Sequence, residues 1–158
     1  EKIFALKKRP SEKSLSVLVD QEWLGKLAYW EDNKIDRIIE DFWPGPLTLV
    51  LPARRELPEF LKGPNQTIAL RWSSSSVVQE MIKLGECPLI GTSANLSGMP
   101  SCFSSAGVVE QFGDQTPLLV DSGVLPENPP TTLLDCTRTP FSFIRSGSID
   151  QKILEDYI

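Results

Sequence analysis

The stretch Ile35-Asp36-Arg37-Ile38-Ile39-Glu40-Asp41-Phe42-Trp43-Pro44-Gly45-Pro46-Leu47-Thr48-Leu49-Val50-Leu51 changes period partway along. Up to Phe42, apolar residues fall at 35, 38, 39 and 42, the i, i+3, i+4, i+7 spacing of an amphipathic helix. From Leu47 to Leu51 the run is apolar apart from Thr48 and stops at Pro52, as a short strand does. Trp43-Pro44-Gly45-Pro46 between them must be a turn or rigid loop that orients the strand.

The same alternation continues on both sides. Towards the N-terminus, Asp20 can cap a helix running to Trp30, Ser14 to Asp20 reads as a strand, and residues 1–8 read as the end of a helix stopped by Pro10. Towards the C-terminus, residues 53–66 form a loop rich in charge and proline, and Thr67 to Arg71 a strand. Val78, Met81 and Ile82 mark a helix capped by Ser74, Ser75 or Ser76, with Gly85 as its stop. Strands follow at Pro88 to Thr92, Leu118 to Asp121, Thr131 to Asp135 and Phe141 to Arg145. A helix runs from about Ser104 to Gly113, and a short one starts at Asp150. Strands alternate with helices and then cluster, which predicts an α/β (α+β) fold with one mixed, twisted sheet.

The chain has 158 residues, 41% hydrophobic and 23% charged, the size and composition of one globular domain. Acidic residues outnumber basic ones 21 to 16, a formal net charge of −5, which argues against strong non-specific nucleic-acid binding. Histidine is absent. That excludes a Ser-His-Asp triad, a Cys-His pair and any histidine-ligated metal. Cys87, Cys102 and Cys136 are odd in number and include no Cys-x-x-Cys, so neither a disulfide framework nor a zinc site is expected. This cysteine usage fits a reducing compartment, the cytoplasm. No apolar run is long enough for a membrane helix, so no membrane partner is expected. Neither the dinucleotide-binding glycine pattern nor a P-loop occurs.

Four polar groupings remain. Residues 1–13 carry five basic residues, Lys2, Lys7, Lys8, Arg9 and Lys13, against two acidic ones. A helix ending in such a spot either holds an anion or is a solvated terminus, since cations suit helix C-termini. In Gly91-Thr92-Ser93-Ala94-Asn95-Leu96-Ser97-Gly98 a strand runs into hydroxyls, an amide and a glycine, which serve either an anion or a simple turn. Arg71 follows a buried strand, where α/β folds place site residues and where strands also merely leave the core. Thr131 opens one strand and Arg145 closes the next. Lys7, Arg9, Lys13, Arg71 and Arg145, with Ser93, Asn95, Ser101 and Thr131, suit a nucleotide or phosphate held without a P-loop. They do not suit hydrolysis by a nucleophile and base. Asp20, Asp121 and Asp135 each end a predicted strand and read as turn formers.

Lys7-Lys8-Arg9-Pro10 followed by Ser93-Ala94-Asn95 resembles the Lys-x-Arg…Ser-x-Asn signature of the YrdC family, the threonylcarbamoyl-AMP synthases. The family's order also holds for Phe42-Trp43-Pro44-Gly45-Pro46-Leu47-Thr48, Val120-Asp121-Ser122-Gly123, Pro130-Thr131-Thr132-Leu133-Leu134-Asp135 and Ile144-Arg145-Ser146-Gly147. The resemblance implies a single YrdC-like domain over 1–158, N-terminally incomplete, whose sheet surrounds a concave cavity flanked by helices. It implies an enzyme that forms threonylcarbamoyl-AMP and pyrophosphate from ATP, L-threonine and bicarbonate, with Mg²⁺, and a separate transferase that carries the group to tRNA. By motif position it implies Lys7 and Arg9 as catalytic. Arg9, Lys13, Thr67, Ser93, Asn95, Ser101 and Arg145 would bind ATP, and Arg71, Gly91 and Thr131 threonine or carbamate, with no protein-held metal. Two departures stand out. The family's earlier Thr-Asp-Thr-x-Tyr-Gly-Leu segment is not among these residues, and Leu18 stands where the family carries histidine. A divergent nucleotide-binding or RNA-binding relative without this activity is the alternative.

Overall fold

The structure is a computed structural model that describes residues 1–10, 15–116 and 118–158. Among the described residues six strands form one mixed sheet in the order β4-β1-β3-β2-β5-β6. They are β1 (Ser16–Val19), β2 (Leu47–Pro52), β3 (Thr67–Trp72), β4 (Leu89–Gly91), β5 (Thr132–Asp135) and β6 (Ser142–Arg145). β1 runs parallel to β3 and β2 parallel to β5, and the other three pairings are antiparallel. The helices are α1 (Lys2–Lys7), α2 (Gln21–Leu27), α3 (Asn33–Phe42), α4 (Ser76–Gly85), α5 (Ser105–Phe112) and α6 (Gln151–Leu154). The chain folds as two compact units, residues 1–13 with 92–128 and residues 14–91 with 129–158. Among the described residues no helix is long and apolar enough to cross a membrane.

The second unit holds the whole sheet. Strand side chains alternate between faces, and the register sorts them. Val17, Val19, Leu47, Leu49, Leu51, Ile68, Leu70 and Leu134 share the core face, each at most 2% exposed. Leu24 and Leu27 of α2, Ile35 and Ile38 of α3 and Leu154 of α6 complete that core. The other face carries Ser16, Leu18, Thr48, Ala69, Arg71 and Leu133, of which only Thr48 is fully buried. One face of the sheet is therefore oil and the other carries the polar groups.

The helix starts follow local side-chain chemistry. Asp20, Asp32, Ser75, Ser104 and Asp150 each accept a hydrogen bond from a backbone N–H of the first turn. α2 stops at Leu27, short of the Trp30 predicted, because Ala28 turns extended and bridges Ala53, with Tyr29 N–H donating to Pro52 O at 3.1 Å. α4 closes at Glu86, in a left-handed conformation, one residue past the predicted glycine stop.

In the first unit, α1 ends at Lys8, also left-handed, whose N–H returns to the last turn. The strand predicted at Leu118 to Asp121 does not form among the described residues there. Its apolar side chains lack a sheet face to pack on: Leu118 is 78% exposed and Val120 56%. Asp121 instead closes a turn by accepting the Gly123 N–H at 2.8 Å. Asp135 does the same for Thr137, so Asp20, Asp121 and Asp135 are turn and cap residues as read.

Candidate functional site

In the sheet unit, the polar face converges at one end. The β2–β3 register ends at Leu49 beside Leu70, one residue short of Thr48 and Arg71, and Thr48 lies beside Leu133, which pairs with Arg145. Arg71 and Arg145 thus stand three strands apart, about 14 Å between backbones. The Nε of Arg71 donates to the Gly45 carbonyl at 3.1 Å, and burial lowers its pKa while the group stays charged. Gly45 N–H in turn donates to Trp72 O at 2.8 Å, and a Cβ on Gly45 would collide with the Phe42 carbonyl. The Trp43–Pro46 loop, whose Trp43–Pro44 bond is cis, therefore clamps the guanidinium in addition to orienting β2.

Thr131 is held from two sides. Its hydroxyl lies 2.9 Å from the Thr48 hydroxyl. Arg145 donates from Nη2 to the Thr131 carbonyl at 3.0 Å and hydroxyl at 3.1 Å, and from Nε to the carbonyl at 3.2 Å. Gly147 lies so close to the Pro130–Thr132 backbone that a Cβ there would collide with Pro130 O. The result is two guanidinium groups and two hydroxyls on one sheet face, a set suited to a carboxylate, carbamate or phosphate.

Thr67 and Gly91 are not brought to that group. Thr67 precedes Arg71 by four residues on β3, about 13 Å along the strand, and its hydroxyl donates to Pro64 O at 2.8 Å. Gly91 pairs with Ser16, two positions from the Arg71 level, and accepts the Ser16 hydroxyl at 2.9 Å. A Cβ on Gly91 would meet Leu18 Cγ at 2.8 Å, so the glycine makes room for Leu18, the register partner of Arg71.

In the first unit, Lys7 organises the Ser93–Asn95 loop. Its side chain is only 4% exposed, and its ammonium donates to Ser93 O and Asn95 O, each at 2.5 Å, and to Asn95 Oδ1 at 3.2 Å. An ammonium has three N–H groups, and these three oxygens match them. Burial lowers the Lys7 pKa, the nearby Arg9 charge lowers it further, and Cys102 opposes both. Ser93 Oγ donates to Asn95 Oδ1 at 2.6 Å, and Asn95 Nδ2 donates to Met99 O at 2.5 Å. Three of the predicted residues, Lys7, Ser93 and Asn95, are thus one network. Arg9 is half-buried beside it and Ser101 is exposed. Lys13 lies outside the described residues.

Sequence reading missed Thr48 and Gly45. The signal was present: a lone hydroxyl in an apolar strand needs a partner when buried, and Thr48 is 3% exposed. Among the described residues no group of three or more Asp, Glu, His or Cys side chains could hold a metal ion.

The Sua5/YciO/YrdC family model, described as telomere recombination, matches residues 1–147. The threonylcarbamoyl-AMP synthase of Pyrococcus abyssi is 32% identical over 159 residues, covering 100% of this chain and 47% of the relative. That of Klebsiella pneumoniae is 37% identical over 122 residues, covering 75% of this chain and 64% of the relative. The crystal structure of P. abyssi Sua5 complexed with L-threonine superposes with a TM-score of 0.92 at 32% identity, over 99% of this chain and 46% of that one. E. coli YciO shares the fold with a TM-score of 0.85 at 22% identity, over 99% of this chain and 75% of that one. The chain thus spans about half to two thirds of the length of these curated relatives.

Proposed function

The chain belongs to the Sua5/YciO/YrdC family, and on that premise we propose that it is an L-threonylcarbamoyladenylate synthase built as one YrdC-like domain over residues 1–158. The observation that carries the reading is the Arg71–Thr48–Thr131–Arg145 face, in a sheet that superposes closely on a threonine-bound relative.

The threonine amine adds to bicarbonate, forming an N–C bond and releasing water. The carbamate oxygen then attacks the α-phosphorus of ATP, and the bond to the β-phosphate oxygen breaks to release pyrophosphate. The nucleophile is already anionic, so the step needs no histidine base. It needs positioning and charge neutralisation, which guanidinium groups supply. Arg71, with Thr131, takes the carboxylate or carbamate of threonine. The family resemblance gives the ATP role to Arg9, Lys13, Thr67, Ser93, Asn95, Ser101 and Arg145. Lys7 acts by ordering the Ser93–Asn95 loop, because its N–H groups point at that loop's oxygens. With no carboxylate cluster among the described residues, Mg²⁺ would arrive on the ATP phosphates and neutralise the departing pyrophosphate. The product goes to a separate transferase acting on tRNA, in the cytoplasm.

The test is pyrophosphate release in ATP, bicarbonate and Mg²⁺, with and without L-threonine. Threonine-dependent release, lost in Arg71→Ala and in Arg9→Ala, is expected. ATP binding without threonine dependence would overturn the assignment and favour a nucleotide-binding relative.

A further inference from the structure

In the first unit, the Asn95–Leu96 peptide is held at both ends. Its carbonyl oxygen accepts from the Lys7 ammonium, and its N–H donates to Gln111 Oε1 at 2.9 Å. A trans peptide points its C=O and N–H in opposite directions, so Lys7 and Gln111 grip one rigid plane from opposite sides. The same Gln111 amide donates from Nε2 to Pro100 O at 3.0 Å. That carbonyl belongs to the Pro100–Ser101 peptide, whose N–H is thereby turned away from Gln111. One side chain thus fixes a peptide plane at each end of the Leu96–Pro100 segment.

The clasp has a firm mount. Gln111 sits in the last turn of α5, and Ser104 caps the start of that helix by accepting the Gly107 N–H at 3.2 Å. Just before the cap, Cys102 N–H donates to Ala94 O at 2.8 Å and ties the exit of the loop to its entry. Within the clasped segment Met99 N–H donates to Leu96 O at 3.0 Å, and Gly98 takes a φ of 88°. Ser93 and Ser101, on either side of the segment, are exposed, and Gln111 is half-buried. A loop with so little buried apolar surface is ordered by its hydrogen bonds and not by packing. Freezing the rotamers of a glutamine costs conformational entropy. Using acceptor and donor of one amide together offsets that cost and fixes the amide plane as well as its position.

We propose that Gln111 is a positioning residue for nucleotide binding: its amide sets the Asn95–Leu96 and Pro100–Ser101 planes, so that the Ser93–Ser101 loop already has one shape when ATP arrives. Preorganisation of this kind removes an ordering cost from binding. Gln111 itself touches no substrate atom in this role. The proposal rests on the ATP role given to the loop above.

The test compares Q111M, which keeps the length of the side chain and removes both amide functions, with E110Q, an exposed change next to it. In Q111M the Leu96 amide should exchange about tenfold faster or more, since its acceptor is gone. Calorimetry with Mg²⁺-ATP should show affinity weakened about fivefold, and pyrophosphate release a KM for ATP raised to match, with the KM for L-threonine unchanged within about twofold. E110Q should leave all of these unchanged. Q111A, which puts the best helix former at this position, decides by the same readouts if Q111M unfolds. Unchanged exchange at Leu96 would overturn the proposal. Faster exchange with ATP affinity intact, or a rise in both KM values together, would also overturn it and leave Gln111 a structural residue. A parent chain that binds ATP but releases pyrophosphate without regard to threonine removes the synthase reading alone, and the ATP affinity of Q111M still decides the role of Gln111. A parent chain without ATP affinity overturns both.

Discussion

Replacing Lys7 by methionine keeps the length of the side chain and removes its three N–H groups. Ser93 O, Asn95 O and Asn95 Oδ1 then lose a buried, charged donor. Hydrogen bonds to charged groups contribute about 1.5–3 kcal/mol each, so three would sum to about 5–9 kcal/mol. Relief from burying an ammonium offsets several kcal/mol of that, consistent with the lowered Lys7 pKa. A net loss of about 2–3 kcal/mol remains, concentrated in the loop. It should appear as about 30- to 160-fold faster hydrogen exchange at the loop amides. Leu96 N–H, which donates to Gln111 Oε1, Ser97 N–H, to Lys7 O, and Cys102 N–H, to Ala94 O, report on the loop directly. Pyrophosphate release should fall with the loop's order. Unchanged exchange at Leu96, Ser97 and Cys102, together with collapsed ATP affinity, would refute this reasoning. It would mean that the ammonium serves the phosphates and not the loop.

Other consequences are as direct. Leu49, fully buried at the centre of the sheet, should lose about 3 kcal/mol on conversion to alanine, whereas L118S at an exposed position should change stability by less than about 0.5 kcal/mol; urea unfolding of both variants measures this. G147A must push the Pro130–Thr132 backbone aside, so it should cost about 1–3 kcal/mol in thermal unfolding and raise the KM for threonine by disturbing Thr131. Hydrogen bonds from Lys62 and then Gln66 hold the Glu59 carboxyl below its ordinary 4.5. Its folded-state pKa is depressed, so its contribution to stability is present above pH 4.5 and is lost as pH falls through the folded value. Carbon-detected NMR titration should place that midpoint below 4.5 in the parent and return it towards 4.5 in K62M.

Much of the fold was readable because its signals are local. The period of Ile35–Phe42, the run Leu47–Leu51, the cap at Asp20 and the helix starts at the Ser74–Ser76 run and near Ser104 depend on neighbours within a few residues, and each formed where expected. Leu118–Asp121 failed because a strand needs a partner edge and a covered face, neither of which a short apolar run specifies. The candidate site was readable in its residue types and not in its grouping. Arg71, Thr131 and Arg145 are conspicuous as polar residues at strand ends, but the sequence holds no sign that Thr48 meets Thr131 or that Gly45 grips Arg71.

What the sequence alone determined is therefore the order of most helices and strands, the exclusion of histidine chemistry, and the polar inventory. Hydrophobic period, caps and composition are properties of short stretches or of totals, so they survive without a fold. The tertiary structure decided which polar residues meet. β2 lies between β3 and β5 with a register that brings residues 48, 71, 131 and 145 to one face, leaves Thr67 about 13 Å away along its strand, and fastens Lys7 to a loop 86 residues distant in sequence. Those contacts come from strand order and chain return, which no local pattern encodes.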